Sequence, residues 1–169
     1  MEIEKAIRTA IEFEKKVEAV YRRAAGQATD EVGRKVFSAL AEEETGHVAY
    51  LEYRLKQLER SGKITAEPLE TVVPAPEEIS AGLANLGERQ EARDFGVELD
   101  LLKQALDAEN ETSAFYERMV ETMDAEAKAM FEHFVEIEQG HAAIVQAEID
   151  ALTGMGFWFD FAEFNLEAG

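Results

Sequence analysis

Residues 36–47 read VFSALAEEETGH, and residues 130–141 read MFEHFVEIEQGH. The two stretches align without a gap, pairing Phe37 with Phe131, Leu40 with Phe134, Glu44 with Glu138 and His47 with His141. Each ends in Glu-x-x-His, a spacing that puts both side chains on one helix face, nearly one turn apart. The apolar residues locate that face. Glu44 lies one turn beyond Leu40 and two beyond Phe37, and Leu51 continues the line past His47. Glu138 follows Phe134 and Phe131 in the same way, with Val145 beyond His141.

Working outward, the likeness extends to what precedes each stretch. Residues 10–21, AIEFEKKVEAVY, match residues 105–116, ALDAENETSAFY, so that Glu14 pairs with Glu109 and Tyr21 with Tyr116. Glu14 precedes His47 by 33 residues and Glu109 precedes His141 by 32, one residue of difference that a slightly changed turn absorbs. Leu51 pairs with Val145 and Leu55 with Ile149. The repeating unit is therefore a helical hairpin.

Apolar spacings of three and four predict a first helix through Ile7, Ile11, Val17 and Tyr21, stopped at Gly26. A second runs from about Asp30, a capping residue, to Ser61-Gly62. A third spans about Gly96–Thr122, and a fourth begins after Asp124 and continues to about Leu152. Between the hairpins, residues 62–95 carry all three prolines (Pro68, Pro74 and Pro76) and read as an extended connection with a short helical stretch near Pro76–Leu86. So long a connection needs a reason, and a crossover along the length of a bundle supplies one. The expected fold is all-α: a ferritin-like four-helix bundle, two helical hairpins joined by a long crossover, over residues 1–152. Residues 153–169 form an aromatic, non-helical tail in which Phe157, Phe159 and Phe161 alternate around Trp158. A segment this apolar is expected to cap its own bundle or to pack on a second subunit, with a homodimer contact favoured.

Four glutamates and two histidines thus point into a core that is otherwise apolar. Unpaired, each buried charge costs on the order of several kcal/mol, and like charges add repulsion. Few basic residues lie on these faces. Two divalent cations would cancel the four carboxylates and leave two neutral imidazoles as further ligands. Oxygen-rich, nitrogen-containing and thiolate-free coordination suits iron or manganese, and zinc less well. The expected ligands are Glu14, Glu44, His47, Glu109, Glu138 and His141, holding two iron ions per chain, with manganese as the alternative.

At this point the sequence resembles the rubrerythrin-related branch of the ferritin-like family. The segments that carry the resemblance are AIEFEKKVEAVY, LAEEETGH, ALDAENETSAFY and VEIEQGH, and it covers nearly all of residues 1–152. It implies that Glu14 and Glu109 are single-carboxylate ligands, Glu44 and Glu138 bridging or chelating carboxylates, and His47 and His141 the imidazole ligands. Two features depart from the family's pattern. Typical rubrerythrins carry a cysteine-ligated rubredoxin module, and this chain has no cysteine. They also carry a second glutamate one turn beyond the ligand of the third helix, where this chain has Thr112. That carboxylate is linked with iron movement during peroxide reduction.

Composition bounds the partners. Acids outnumber bases 36 to 17, for a formal charge of −19, which opposes binding to nucleic acid or an anionic membrane and attracts cations. The absence of cysteine excludes a thiolate nucleophile and cysteine-based metal sites. No window approaches a span of about 20 apolar residues, and the default compartment is the cytoplasm.

The expected function is that of a di-iron oxidoreductase reacting Fe(II) with O2 or H2O2, ferroxidase-like or peroxidase-like, restored by an external electron donor. The alternatives are non-catalytic iron binding or storage, a dimanganese catalase-like enzyme, and a structural interaction module. Tyr21 and Tyr116 are expected to support ligand carboxylates through their hydroxyls, with electron relay as the alternative. His133 reads as a surface residue, and Glu42, Glu43, Glu111 and Glu136 read as solvated.

Overall fold

A computed structural model describes residues 2–85, 95–154, 156 and 158–159. Five helices follow in order: α1 (Glu2–Gln27), α2 (Glu31–Ser61), α3 (Pro76–Asn85), α4 (Gly96–Thr122) and α5 (Ala125–Gly154). Local chemistry sets their ends. The Asp30 side chain accepts from the backbone N–H groups of Val32 and Gly33, capping α2. At the other end Gly62 takes the left-handed conformation (φ 70°), and its N–H reaches the Leu58 carbonyl at 2.7 Å. A side chain there would strain the turn.

The loop between α1 and α2 is short, so the two helices return antiparallel. Bonds between Arg22 and Thr45 (2.7 Å) and between Arg8 and Glu59 (2.9 Å) mark the register. The two hairpins, α1 with α2 and α4 with α5, meet along α1 and α4. Phe13 stacks on Phe115 at 4.8 Å, and Lys16 bonds Glu111 at 2.6 Å, so these helices are also antiparallel. The result is the all-α, ferritin-like bundle of two hairpins joined by a crossover.

The crossover is pinned along its length. Tyr50 donates to the Glu67 carbonyl (2.6 Å), and the buried Arg54 guanidinium bonds Thr65 and Glu67 (3.0 Å each). Ile64, Val73 and Ile79 bury their side chains, and α3 packs against α5. Residues 86–94 lie outside the described part.

The apolar interior is divided in two. One cluster holds Val17, Phe37, Leu40, Leu102 and Ile144, and the other holds Ile7, Leu51, Phe115, Phe131 and Phe134. Along every bundle helix the metal-type residues sit where one cluster gives way to the other: Glu14 between Ile11 and Val17, Glu44 between Ala41 and Val48, Glu109 between Ala105 and Phe115, and Glu138 between Phe134 and Ile144. A polar layer therefore crosses the middle of the bundle, sealed above and below by close-packed side chains.

From the tail, Trp158 and Phe159 are buried in the chain's own core, the indole edge-on to Phe37 at 5.6 Å. Phe159 donates its backbone N–H to the buried Glu148 at 2.9 Å. These two adjacent residues cap the end of the bundle. Phe157 and Phe161, on which the expected subunit contact also relies, lie outside the described residues. No helix among the described residues is long and apolar enough to cross a membrane.

Candidate metal centre

Glu14 comes from α1, Glu44 and His47 from α2, Glu109 from α4, and Glu138 and His141 from α5. All six are buried, none more than 2% exposed. Their ligand atoms form two groups, each within 4.8 Å: Glu14, Glu44, His47 and Glu138, and Glu44, Glu109, Glu138 and His141. Glu44 and Glu138 belong to both. The internal repeat reappears here in three dimensions, each half supplying one histidine and one shared carboxylate.

His47 Nδ1 lies 3.1 Å from Glu44, 3.3 Å from Glu14 and 3.4 Å from Glu138. His141 Nδ1 lies 2.7 Å from Glu44 and 3.4 Å from Glu109. The two rings stack at 5.3 Å with 21° between their planes, so both present Nδ1 to the carboxylates. The tyrosines cross between halves: Tyr21 donates to Glu109, and Tyr116 donates to Glu14. Each fixes the outer carboxylate of the opposite hairpin.

The electrostatics show what such a layer demands. Burial, reinforced by the Glu44 charge, pushes the Glu14 carboxyl up to about 8. Burial together with the charges of Glu14, Glu44 and Glu109 raises Glu138 well above the carboxylate range. For Glu44 burial acts in the same sense, but the two flanking imidazoles outweigh it and hold the group below that range. Burial would lower both histidines, and the Glu44 charge and the surrounding carboxylate bonds raise them instead. With protons as the only compensation, the layer neutralises itself by protonating carboxyls and imidazoles.

Protons compensate incompletely. Both Glu138 oxygens and Glu109 Oε2 are buried with no hydrogen bond among the described residues. Buried acceptors left in this way are costly, and a bound cation could satisfy them. Oxygen and imidazole donors, no thiolate and two overlapping groups of four can hold metal. Ferritin-like carboxylate proteins build their two-metal sites from the same donor set, a glutamate from each of two helices and Glu-x-x-His from each of the other two.

The family model Rubrerythrin matches residues 5–149. The chain belongs to the rubrerythrin family. That match contains all six residues and the whole crossover, and membership of the rubrerythrin family implies iron binding. No curated protein and no solved structure matches the chain. Where typical rubrerythrins place a further glutamate, Thr112 is buried and its hydroxyl donates to the Ala108 carbonyl at 2.9 Å.

Among the residues expected to be solvated, Glu42, Glu111 and Glu136 are exposed or partly exposed. Glu43 is a correction. Its side chain is only 9% exposed, and its Oε2 lies 2.6 Å from His141 Nε2. It also accepts from the Thr71 hydroxyl (2.9 Å) and the Val72 N–H. The repeat held a signal for this: Glu43 aligns with Ile137, an apolar residue, so the position is half-turned toward the interior. His133 is partly exposed and lines a cleft of about 440 Å³ between the crossover and α5, with Leu69, Val73, Ile137 and Gly140.

Proposed function

We propose that this rubrerythrin-family chain is a non-haem di-iron oxidoreductase that reacts Fe(II) with O2 or H2O2, ferroxidase-like or peroxidase-like. Glu14, Glu44, His47, Glu109, Glu138 and His141 would hold the two ions. The observation that carries this reading is the sharing of Glu44 and Glu138 between two four-residue groups. That is the arrangement two neighbouring cations need, whereas a structural polar layer needs no shared acceptors.

An iron pair bound here supplies the one-electron steps that no side chain of the set can supply. The chain does the rest. Tyr21 and Tyr116 hold Glu109 and Glu14 in place through their hydroxyls. The histidines present Nδ1, and the protons they and the carboxyls carry leave as cations arrive. The two apolar clusters exclude bulk water from the layer. The electrons would come from an external donor. The proposed setting is the cytoplasm, and a homodimer would form through surfaces other than Trp158 and Phe159, which are buried in the chain's own core.

The test is anaerobic loading with Fe(II), then addition of O2 or H2O2 with and without a reductant. Repeated consumption of oxidant that depends on the reductant is expected. A single round of oxidation followed by iron retention would replace this reading with storage. Release of O2 from peroxide by manganese-loaded protein alone would replace it with a catalase-like one.

A further inference from the structure

The two halves of the centre match at every residue of the donor set but differ behind the histidines. His141 Nε2 lies 2.6 Å from Glu43 Oε2. His47 Nε2 is buried and has no hydrogen-bond partner among the described residues. The repeat explains the difference. Glu43 precedes the shared Glu44 on α2 and reaches across to the histidine of the other hairpin, while the corresponding residue on α5 is Ile137, which has no acceptor to offer.

A carboxylate on Nε2 keeps the imidazole proton there, so the lone pair resides on Nδ1, and it makes that nitrogen a better donor to a cation. Glu43 is itself held from the far side, by the Thr71 hydroxyl and the Val72 N–H of the crossover. Thr71 also lines the cleft between the crossover and α5.

From this geometry we infer that Glu43 is a positioning residue that makes the two metal positions unequal. The His141 position (Glu44, Glu109, Glu138, His141) binds its cation more tightly than the His47 position, and the crossover sets the difference through Thr71 and Val72. This inference rests on the proposed two-metal reading. It adds that the pair fills in order and that the crossover controls the first site.

Cobalt(II) titration of the full chain, followed by absorbance and calorimetry, tests it without any turnover. Wild type is expected to take up two ions, the first at least about tenfold more tightly than the second. Glu43→Leu is expected to weaken one step by about 10- to 100-fold, the usual effect of losing a partner behind a ligand, and to leave the other within about threefold. Glu43→Gln keeps an oxygen that accepts the Nε2 proton and should lose no more than about tenfold on the same step. Thr71→Val, which leaves the bond between Glu43 and His141 intact, should give a smaller loss on that step. Should Glu43→Leu prove unfolded by circular dichroism, Glu43→Gln and Thr71→Val carry the test. Equal weakening of both steps, or of neither, would overturn the inference and leave the two-metal centre standing. A wild-type chain that takes up no cobalt would overturn both.

Discussion

At the scale of the residue, Glu44 and Glu138 occupy a different position from Glu14 and Glu109, because only the first two belong to both groups of donors. Replacing Glu44 or Glu138 should therefore empty both metal positions, whereas replacing Glu14 or Glu109 should leave about one ion per chain. Metal analysis of the four alanine variants reads this directly, and equal losses from all four would contradict the sharing. Glu138 permits a second prediction. Its buried carboxyl accepts no well-formed hydrogen bond and has only His47 Nδ1 nearby at 3.4 Å, so in protein stripped of metal most of its desolvation cost is left uncompensated. Glu138→Leu, of similar size, should leave the metal-stripped protein as stable or raise it by about 1–3 kcal/mol in urea melts, while abolishing metal uptake. A clear loss of stability would mean that Glu138 holds the bundle together.

At the scale of the element, two contacts join parts of the chain far apart in sequence. A Cβ built on Gly33 would stand 2.6 Å from the Trp158 ring, so α2 accepts the tail only because that position has no side chain. Gly33→Ala is expected to lose about 1–3 kcal/mol, as overpacked cores do, even though alanine is the better helix former. Thermal unfolding and a red-shifted tryptophan emission would report the displaced indole. Unchanged emission and stability would place Trp158 elsewhere. Glu98, in the first turn of α4, accepts from the Thr29 hydroxyl (2.7 Å) and the N–H groups of Thr29 (2.6 Å) and Asp30 (3.1 Å). Burial pushes its pKa up, and these bonds outweigh burial and hold it below the usual carboxylate range. A depressed native pKa stabilises above the unfolded value of about 4.3 and loses that contribution as pH falls through the native one. Glu98→Gln should thus cost about 1–2 kcal/mol at pH 7, and the gap from wild type should narrow as the pH falls below the unfolded value of about 4.3. A gap that is constant with pH would show that the charge of Glu98 is irrelevant.

At the scale of the whole molecule, the repeat decides both the fold and the centre, and it could be read because each half supplies its residues at fixed helical spacings. Gly62 and Asp30 marked helix ends, and the three prolines marked the connection between the hairpins, for equally local reasons. What escaped reading depends on which elements meet. Glu43, in a run of three glutamates, looks solvated until α5 and the crossover close over it. Glu98, Glu148 and Arg54 are ordinary surface residue types that become buried only because a loop or the tail folds across them. The periodicity of one helix carries no record of such contacts. The acidic surface, with a formal charge of −19, favours cation approach without directing it to any one site.

The central claim is that the polar layer exists to hold two ions. Elemental analysis of protein reconstituted anaerobically with Fe(II) and desalted tests it most directly. About two irons per chain is the predicted result, since two divalent ions balance four carboxylates. Protein that retains no iron, and none of any other metal when purified without addition, would contradict the account.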